Sequence, residues 1–203
     1  MIKIQGRIPR KVVVATSGGV DSMAVVDFLK RNHTVVMQFV HHGTDTSEVA
    51  YRFLREYELD SGVPLYTNYI DTAVPNGVSQ EEHWRNERYK VFHSLDVPVI
   101  TCHHLDDCAE TWIWSSLNGA GKMIPYRNQN VIRPFRMNRK SEFIDWCERK
   151  NVKWVEDKSN SDNKYVRNYI RNELMQHALV VNPGLHTVVR KKIETDITAM
   201  RVR

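Results

Sequence analysis

The chain has few cysteines and no long hydrophobic segment. Its 203 residues include only Cys102, Cys108 and Cys147, and no two of them form a Cys-x-x-Cys pair. A disulfide framework, a cysteine zinc site or an iron–sulfur cluster is therefore not expected, and the composition fits a reducing compartment. No apolar run approaches the roughly 20 residues that cross a bilayer, and residues 1–7 lack the apolar core of a signal peptide. We expect a globular, cytoplasmic protein without a membrane partner.

The charge of the chain is distributed unevenly. Its net charge is +5. Residues 1–121 carry 11 Lys/Arg and 15 Asp/Glu, whereas residues 122–203 carry 18 and 9. Because the neutralisation of phosphates supplies much of the affinity of proteins for nucleic acid, the basic C-terminal part is a candidate nucleic-acid surface. A solvated basic surface without a partner is the alternative.

Short runs of β-branched residues recur in the first half of the chain, at residues 12–15, 34–40, 65–70 and 97–101. Helix-length amphipathic patterns separate these runs. Apolar strands joined by helices predict an α/β fold, with a parallel sheet covered by helices on both faces. The ligand site of such a fold lies at the carboxyl ends of the strands.

Helical patterns dominate the rest of the chain. Apolar residues recur at helical spacing in three segments, residues 139–151, 166–180 and 185–200. We therefore predict an α/β domain over residues 1–135, followed by a short, basic, helical extension over residues 136–203 that packs on it.

A glycine loop, Ser17-Gly18-Gly19-Val20-Asp21-Ser22, links the first predicted strand to the first predicted helix. Glycines let the backbone approach a ligand, and a helix start offers unpaired N–H groups to an anion, so the loop predicts a phosphate site. The lysine of the ordinary P-loop is missing. Two serine hydroxyls can donate to phosphate oxygens instead, and we assign Asp21 to a magnesium ion that bridges the phosphates. The alternative is a plain turn capped by serine.

The segment from Thr101 to Thr111 concentrates two imidazoles and three carboxylates. On a helix, Asp106 and Asp107 lie within one turn of Glu110, so the acids can share one face. Clustered carboxylates repel one another unless a cation lies among them, and that cation could be magnesium or the ammonium of a substrate amine. Two alternatives concern single residues: Asp106 as a helix N-cap, and His104 as a buried hydrogen-bonding residue.

Two arginines at helical spacing form a third cluster. Arg85 and Arg88 are three residues apart, so both guanidiniums can project from one helix face toward a polyphosphate. Salt bridges within the helix to Glu81 and Glu82 are the alternative.

Together these motifs resemble the tRNA(Ile)-lysidine synthetases, a family of the N-type ATP pyrophosphatases, from about Lys11 to Leu185. The loop is similar to that of the whole superfamily, whereas Trp154–Asp162, continuing into Arg167–Arg171, is similar to the family itself. The resemblance implies an adenine-nucleotide alpha-hydrolase-like fold that uses ATP and Mg²⁺. It also implies adenylation of the carbon-2 oxygen of the wobble cytidine in an isoleucine tRNA with a CAU anticodon. The ε-amine of free lysine then displaces AMP.

The resemblance also suggests site residues. For ATP and magnesium it indicates Ser17, Gly18, Gly19, Asp21 and Ser22, with His42 and His104 beside the nucleotide and Asp107 as a second metal ligand. The catalytic set comprises Asp21, Asp107 and Glu110, with the last two holding lysine, and Arg85 and Arg88 near the phosphates or the tRNA. The tRNA-facing set comprises Asn160, Asp162, Arg167, Asn168 and Arg171, for which a structural network is the alternative.

The chain also departs from the family. Thr44-Asp45 stands where the family usually has Leu-Arg. We also expect a compact form of the family, without its usual C-terminal domains. We therefore expect tRNA recognition to be reduced, altered or supplied by a homo-oligomer. Two other functions remain open: another ATP pyrophosphatase that modifies a different RNA or small-molecule carbonyl, and a non-catalytic nucleotide- or RNA-binding module.

Overall fold

The computed structural model of the protein describes residues 1–156 and 166–201, with side chains up to residue 195. Its first part contains β1 (Lys11–Ala15), α1 (Val20–Leu29), β2 (Thr34–His41), α2 (Asp45–Ser61), β3 (Leu65–Tyr69), α3 (Gln80–His93), β4 (Val99–Ile100) and α4 (Leu105–Leu117). The remainder contains β5 (Arg127–Asn128), β6 (Val131–Ile132), α5 (Lys140–Lys150), α6 (Val166–Tyr169), a π-helical turn (Ile170–Leu174), α7 (Met175–Val181) and α8 (Leu185–Arg201).

The described strands form one sheet in the order β3-β2-β1-β4-β6-β5. Every neighbouring pair is parallel except β5–β6, which is antiparallel. The predicted fold class is therefore confirmed. Strands β5 and β6 were not predicted, because strands of two residues are too short to show an alternating pattern.

Helices cover both faces of the sheet. Val12 and Val14 of β1 face a core that also contains residues of α1, α2 and α5, whereas Val13 faces the opposite side together with Phe92 of α3. This alternation follows from the two-residue period of a strand. It explains why β1 reads as continuously apolar.

Helix α5 packs against α1. Phe143, Trp146 and Cys147 join the core of the sheet, and the Trp146 indole N–H donates to Asp27 Oδ2 at 3.0 Å. The start of the predicted C-terminal extension is thus packed on the α/β core. The boundary at residue 135 stays a prediction.

A second core lies between α4 and the C-terminal helices. Leu105, Cys108 and Ala109 of α4 pack with residues of the π-helical turn, α7 and α8, namely Ile170, Met175, Leu185, Val189 and Ile193. Helix α4 thus follows β4 of the sheet and also packs against the C-terminal helices. Its first turn lies at the junction between the sheet and this helical region.

The predicted helix over residues 166–180 is not a regular α-helix. The structure has a π-helical turn at Ile170–Leu174 between α6 and α7. A π-turn shifts the side chains after it relative to an α-helix, and such turns occur often at functional sites.

None of the helices within the described residues has the length and hydropathy needed to cross a bilayer.

Asn138 joins the N-terminal segment to the region before α5, and it is fully buried. Its side chain accepts a hydrogen bond from Lys3 N–H (2.7 Å) and donates to the carbonyls of Lys3 (2.8 Å) and Phe135 (2.9 Å). Asn138→Ala should lower the free energy of unfolding by about 1–3 kcal/mol, because buried backbone groups lose their partners. Urea denaturation measures this change. Asn118→Ala, at an exposed site, is the control and should cost far less.

Candidate active site

The glycine loop between β1 and α1 has the conformation that a phosphate loop requires. Gly18 is buried with a φ of +77°, and its carbonyl accepts a hydrogen bond from Val155 N–H at 2.9 Å. A Cβ at this position would lie 3.4 Å from Phe53 Cδ1 and 3.6 Å from Ala50 Cβ. Gly19 is extended and forms the N-cap of α1 without a side-chain cap. The first N–H groups of α1 therefore remain for an anion.

The two serines of the loop differ in their surroundings. Ser22 is buried, and its hydroxyl donates to the Gly19 carbonyl (2.9 Å) and accepts from Ser17 N–H (3.3 Å). Ser17 is exposed, and its hydroxyl accepts a hydrogen bond from Gly19 N–H at 3.4 Å. In this structure Ser22 holds the loop in shape, and Ser17 is the serine with a hydroxyl at the surface.

Asp21 lies in the first turn of α1 and carries an unpaired carboxylate oxygen. Its Oδ1 is buried and has no hydrogen-bond partner in the described part of the chain. Its Oδ2 lies 3.6 Å from His104 Nε2. Because a buried anionic oxygen without a partner is costly, this atom fits a bound cation.

Helix α4 begins with a reciprocal cap between His104 and Asp107. Asp107 N–H donates to His104 Nδ1 at 3.2 Å, and His104 N–H donates to Asp107 Oδ2 at 3.0 Å. The suggestion that Asp106 is the N-cap is therefore wrong, since the cap is His104. Burial opposes a charged imidazole, but the carboxylates of Asp107 and Asp21 outweigh it and raise the pKa of His104.

Asp107 and Glu110 lie side by side on α4 and are both buried. Arg171 donates to Glu110 from Nε (2.7 Å) and Nη2 (3.0 Å) and to Asp107 Oδ1 at 3.3 Å. Arg167 Nη2 also donates to Asp107 Oδ1, at 2.9 Å. Burial opposes ionisation of this carboxyl, but the neighbouring His104 and Arg167 hold the pKa of Asp107 well below its usual range.

The cation expected among these acids is thus supplied, in this structure, by two guanidiniums. Within residues 1–156 and 166–201, no cluster of three or more His, Cys, Asp or Glu side chains has the arrangement of a metal site. The two predicted metal ligands do converge, because Asp21 Oδ2 and Asp107 Oδ2 both lie within 3.6 Å of His104 Nε2. Asp21 offers a free oxygen for a metal, whereas Asp107 Oδ1 is engaged by Arg167 and Arg171.

Asp106 has a different set of partners from Asp107. It accepts hydrogen bonds from Arg139 Nε (3.0 Å) and Lys140 N–H (2.8 Å), and His186 Nε2 lies 3.0 Å from its Oδ1. Although burial works against ionisation, these neighbours hold the pKa of Asp106 well below its usual range. Asp106 therefore ties α4 to α5 and α8 and does not share partners with Glu110. No local sequence signal connects it to His186, which is buried.

Arg85 and Arg88 lie on α3 near the same edge of the sheet. No ion pair joins either to Glu81 or Glu82 among the described residues, so the salt-bridge alternative is not supported. Arg85 is exposed and lies over the Tyr89 ring at 5.0 Å. Burial, with the charges of Arg85 and Arg167 nearby, lowers the pKa of Arg88.

Tyr89, the residue that follows Arg88 on α3, contacts Arg133 directly after β6. The Tyr89 hydroxyl accepts a hydrogen bond from Arg133 Nη2 at 2.8 Å, and Arg133 Nη1 donates to the Pro125 carbonyl at 2.9 Å. Arg133 is buried. It therefore holds the arginine-bearing helix α3 against the segment after β6, a role that the sequence did not reveal.

His42 follows β2 and stacks on Trp84, with ring centroids 5.0 Å apart and planes at 23°. Burial, together with the charges of Arg88 and His41, lowers the pKa of His42 to about 4. His42 is therefore neutral at physiological pH, beside the arginine cluster.

The predicted tRNA-facing residues are only partly described. Asn160 and Asp162 lie outside the described residues. Asn168 is buried, and Arg167 and Arg171 contact the acids of α4. Of this set, the structure thus brings the two arginines into the candidate site.

Gly18→Ala should weaken ATP binding at least 10-fold, because the loop must move away from its left-handed conformation and from Phe53. Left-handed backbone costs a residue with a side chain about 1–2 kcal/mol. Equilibrium binding of a non-hydrolysable ATP analogue measures the effect. Gly62→Ala is the matched control: its φ is +69° at the end of α2 with open space around it, so it should lose similar stability and keep nucleotide affinity. Equal affinities of wild type and Gly18→Ala would contradict the assignment of the loop.

Known tRNA-modifying proteins are similar to this chain in sequence. The chain is 29% identical over 202 residues to a tRNA(Ile)-lysidine synthase of Thermosipho africanus, covering 91% of this chain and 47% of the relative. It is 33% identical over 210 residues to that of Staphylococcus epidermidis, covering 92% and 48%. The resemblance found in the sequence is confirmed, and the chain spans about half the length of these curated relatives.

Solved structures support the fold. A U34-tRNA thiolase, NcsA, from Methanococcus maripaludis superposes with a TM-score of 0.68 at 16% identity, covering 95% of this chain and 72% of that one. An NH3-dependent NAD synthetase from Campylobacter jejuni superposes with a TM-score of 0.50 at 15% identity, covering 94% and 86%. Residues 3–178 match the family described as the PP-loop domain. This match covers most of the chain, and the chain belongs to the PP-loop domain family.

Proposed function

We propose that this protein is an ATP-dependent carbon–nitrogen ligase that converts a cytidine of tRNA to lysidine. ATP would adenylate the carbon-2 oxygen of the wobble cytidine in a CAU anticodon, and free lysine would displace AMP. The observation that carries the proposal is the convergence of an anion-binding loop, the free oxygen of Asp21 and the buried Asp107–Glu110 pair at one edge of the sheet. The lysidine synthase relatives support the choice of substrate.

The nucleotide half of the site would be built by the glycine loop. Ser17, Gly18, Gly19 and the first N–H groups of α1 would hold the triphosphate. Asp21 Oδ1 would hold Mg²⁺, with Asp107 as the second candidate ligand. The ion would neutralise phosphate charge. Arg88 and Arg85, which pair with no acid within the described residues, would face the phosphates of ATP or RNA.

The amine half would be built by Asp107 and Glu110. Two adjacent carboxylates suit an ammonium group, which can donate three hydrogen bonds. Because the pKa of Asp107 is held low, this group is a poor base, and we assign it to holding the ammonium and not to removing its proton. In the reaction, the lysine ammonium first gives up a proton to Glu110 or to solvent, and its neutral nitrogen then attacks carbon 2 of the base and releases a second proton to solvent. The bond from that carbon to the adenylated oxygen breaks, and AMP leaves with the oxygen.

Arg167 and Arg171 occupy the positions that a bound ammonium would take. Lysine can bind to Asp107 and Glu110 only if at least one guanidinium is displaced. RNA phosphates are suitable new partners for these arginines. The arginines would therefore compete with lysine until RNA binds.

Asp107→Asn and Glu110→Gln should each reduce lysine incorporation at least 100-fold, because the ammonium loses an anionic partner. Glu110, which is not a candidate metal ligand, should in addition leave ATP affinity within about threefold when it is changed to Gln. The assay measures radiolabelled lysine in acid-precipitable RNA, with ATP, magnesium and an isoleucine tRNA transcript with a CAU anticodon. Glu87→Gln, which removes an acid paired with Lys90 on α3, is the control and should keep activity. Label that appears equally with a wobble-uridine transcript would contradict the substrate. Release of pyrophosphate without labelling would indicate a different acceptor or amine.

Arg171→Ala should increase the affinity of the RNA-free protein for lysine, because the guanidinium no longer competes for Glu110. Isothermal titration with lysine measures this. Arg139→Ala removes the arginine paired with the neighbouring Asp106, so it should cost stability without a gain in lysine affinity. Weaker lysine binding by Arg171→Ala than by wild type would mean that the arginine helps to bind the amine.

A further inference from the structure

We propose that Trp84, supported by His42, is a stacking platform for a nucleobase beside the candidate active site. The inference rests on the proposed function and adds a binding residue that the loop and the carboxylates do not supply. Trp84 lies on α3, and His42 lies at the carboxyl end of β2, the edge of the sheet that also carries the glycine loop.

The ring of Trp84 is positioned as a flat surface. It stacks on His42 with the planes at 23° and the centroids 5.0 Å apart, and it makes no other ring contact with a described residue. The side chain is only half-buried, and its indole N–H donates to none of the described groups. One face of the Trp84 ring thus packs on the His42 imidazole, and the side chain remains partly exposed to solvent.

The charges around Trp84 suit a nucleotide. Arg88 lies four residues further along α3, on the same helix face, and Arg85 is adjacent. Neither forms an ion pair with an acid in the parts of the chain that the structure describes. A nucleotide needs a π-surface for its base and a cation for its phosphate, and α3 offers both within about one turn.

His42 contributes more than support. Its low pKa, about 4, keeps the imidazole uncharged beside Arg88, so it packs under Trp84 without adding a further positive charge. Its Nδ1 is buried and has no hydrogen-bond partner among the described groups. A buried polar atom without a hydrogen-bond partner is rare in folded proteins and indicates a bound water, ion or ligand group as its partner.

Two nucleobases meet this description, the adenine of ATP and a base of the RNA. Both have a π-face and a nearby phosphate, so the chemistry of the platform is the same for either. Stacking on an aromatic side chain contributes about 10-fold to affinity for one base. Only binding to each ligand separately distinguishes them.

The test compares Trp84→Leu with Trp84→Phe. Both keep an apolar side chain on His42 and so preserve the fold, but only phenylalanine keeps a π-face. Affinity is measured for a non-hydrolysable ATP analogue and, separately, for an anticodon stem-loop RNA. Trp114→Ala, at a half-exposed tryptophan of α4, is the control and should change neither affinity.

We expect Trp84→Leu to weaken one of the two ligands about 10-fold and Trp84→Phe to remain within threefold of wild type. Loss of ATP affinity identifies adenine as the stacked base, and loss of RNA affinity identifies an RNA base. The proposal is contradicted if Trp84→Leu and Trp84→Phe both bind the ATP analogue and the RNA as tightly as wild type does. It is also contradicted if the two variants lose equal affinity, because phenylalanine keeps a π-face and leucine does not. Labelling of tRNA with lysine by wild type does not depend on this result, so failure of the platform is distinguishable from failure of the proposed function.

Discussion

The candidate site depends on how two buried carboxylates are compensated. Asp107 and Glu110 lie in the first turns of α4, where water is largely excluded, and a buried anion without a partner is strongly unfavourable. In this structure the compensation comes from Arg167 and Arg171. The same demand for positive charge is what would give the site affinity for an ammonium group. The two buried carboxylates thus need a positive charge beside them, which either the arginines or a bound ammonium group would supply.

Helix α4 can carry this charge because its first turn is fixed from several directions. The reciprocal cap between His104 and Asp107 sets the start of the helix, and Asp106 is bound by Arg139, Lys140 and His186. His104 also reaches Asp21 of α1. A shift of α4 would therefore disturb the contact with the nucleotide loop. This connection gives a physical route by which the candidate nucleotide site and the proposed amine site influence each other.

Local sequence patterns were sufficient to predict the parts of the candidate site whose residues are neighbours in the chain. The strand, loop and helix around Gly18 and Asp21 are contiguous, so this local structure was predictable without knowing the fold, and the anion site that it suggests stays a prediction. Thr44-Asp45, a departure from the family, is explained locally as well: Thr44 caps α2 and Asp45 lies in its first turn. Asp107 and Glu110 were predicted as a pair for the same reason.

The sequence could not show contacts between distant segments. The pairing of Arg167 and Arg171 with the acids, and of His186 with Asp106, depends on how the C-terminal helices pack on α4. The two-residue strands β5 and β6 and the π-helical turn have no periodic signal of their own. The stacking of Trp84 on His42 likewise results from bringing α3 to the end of β2. Sequence therefore predicted the chemical groups, and the fold determined their partners.

The most direct test of the account is to identify which bond of ATP is cleaved. The protein would be incubated with magnesium, lysine, CAU-anticodon tRNA and ATP labelled at the α-phosphate, and the labelled products separated. The account predicts labelled AMP, in equal amount to pyrophosphate and dependent on the RNA, because the loop, Asp21 and the carboxylate pair are arranged for adenylation followed by displacement. Labelled ADP with release of inorganic phosphate would contradict it.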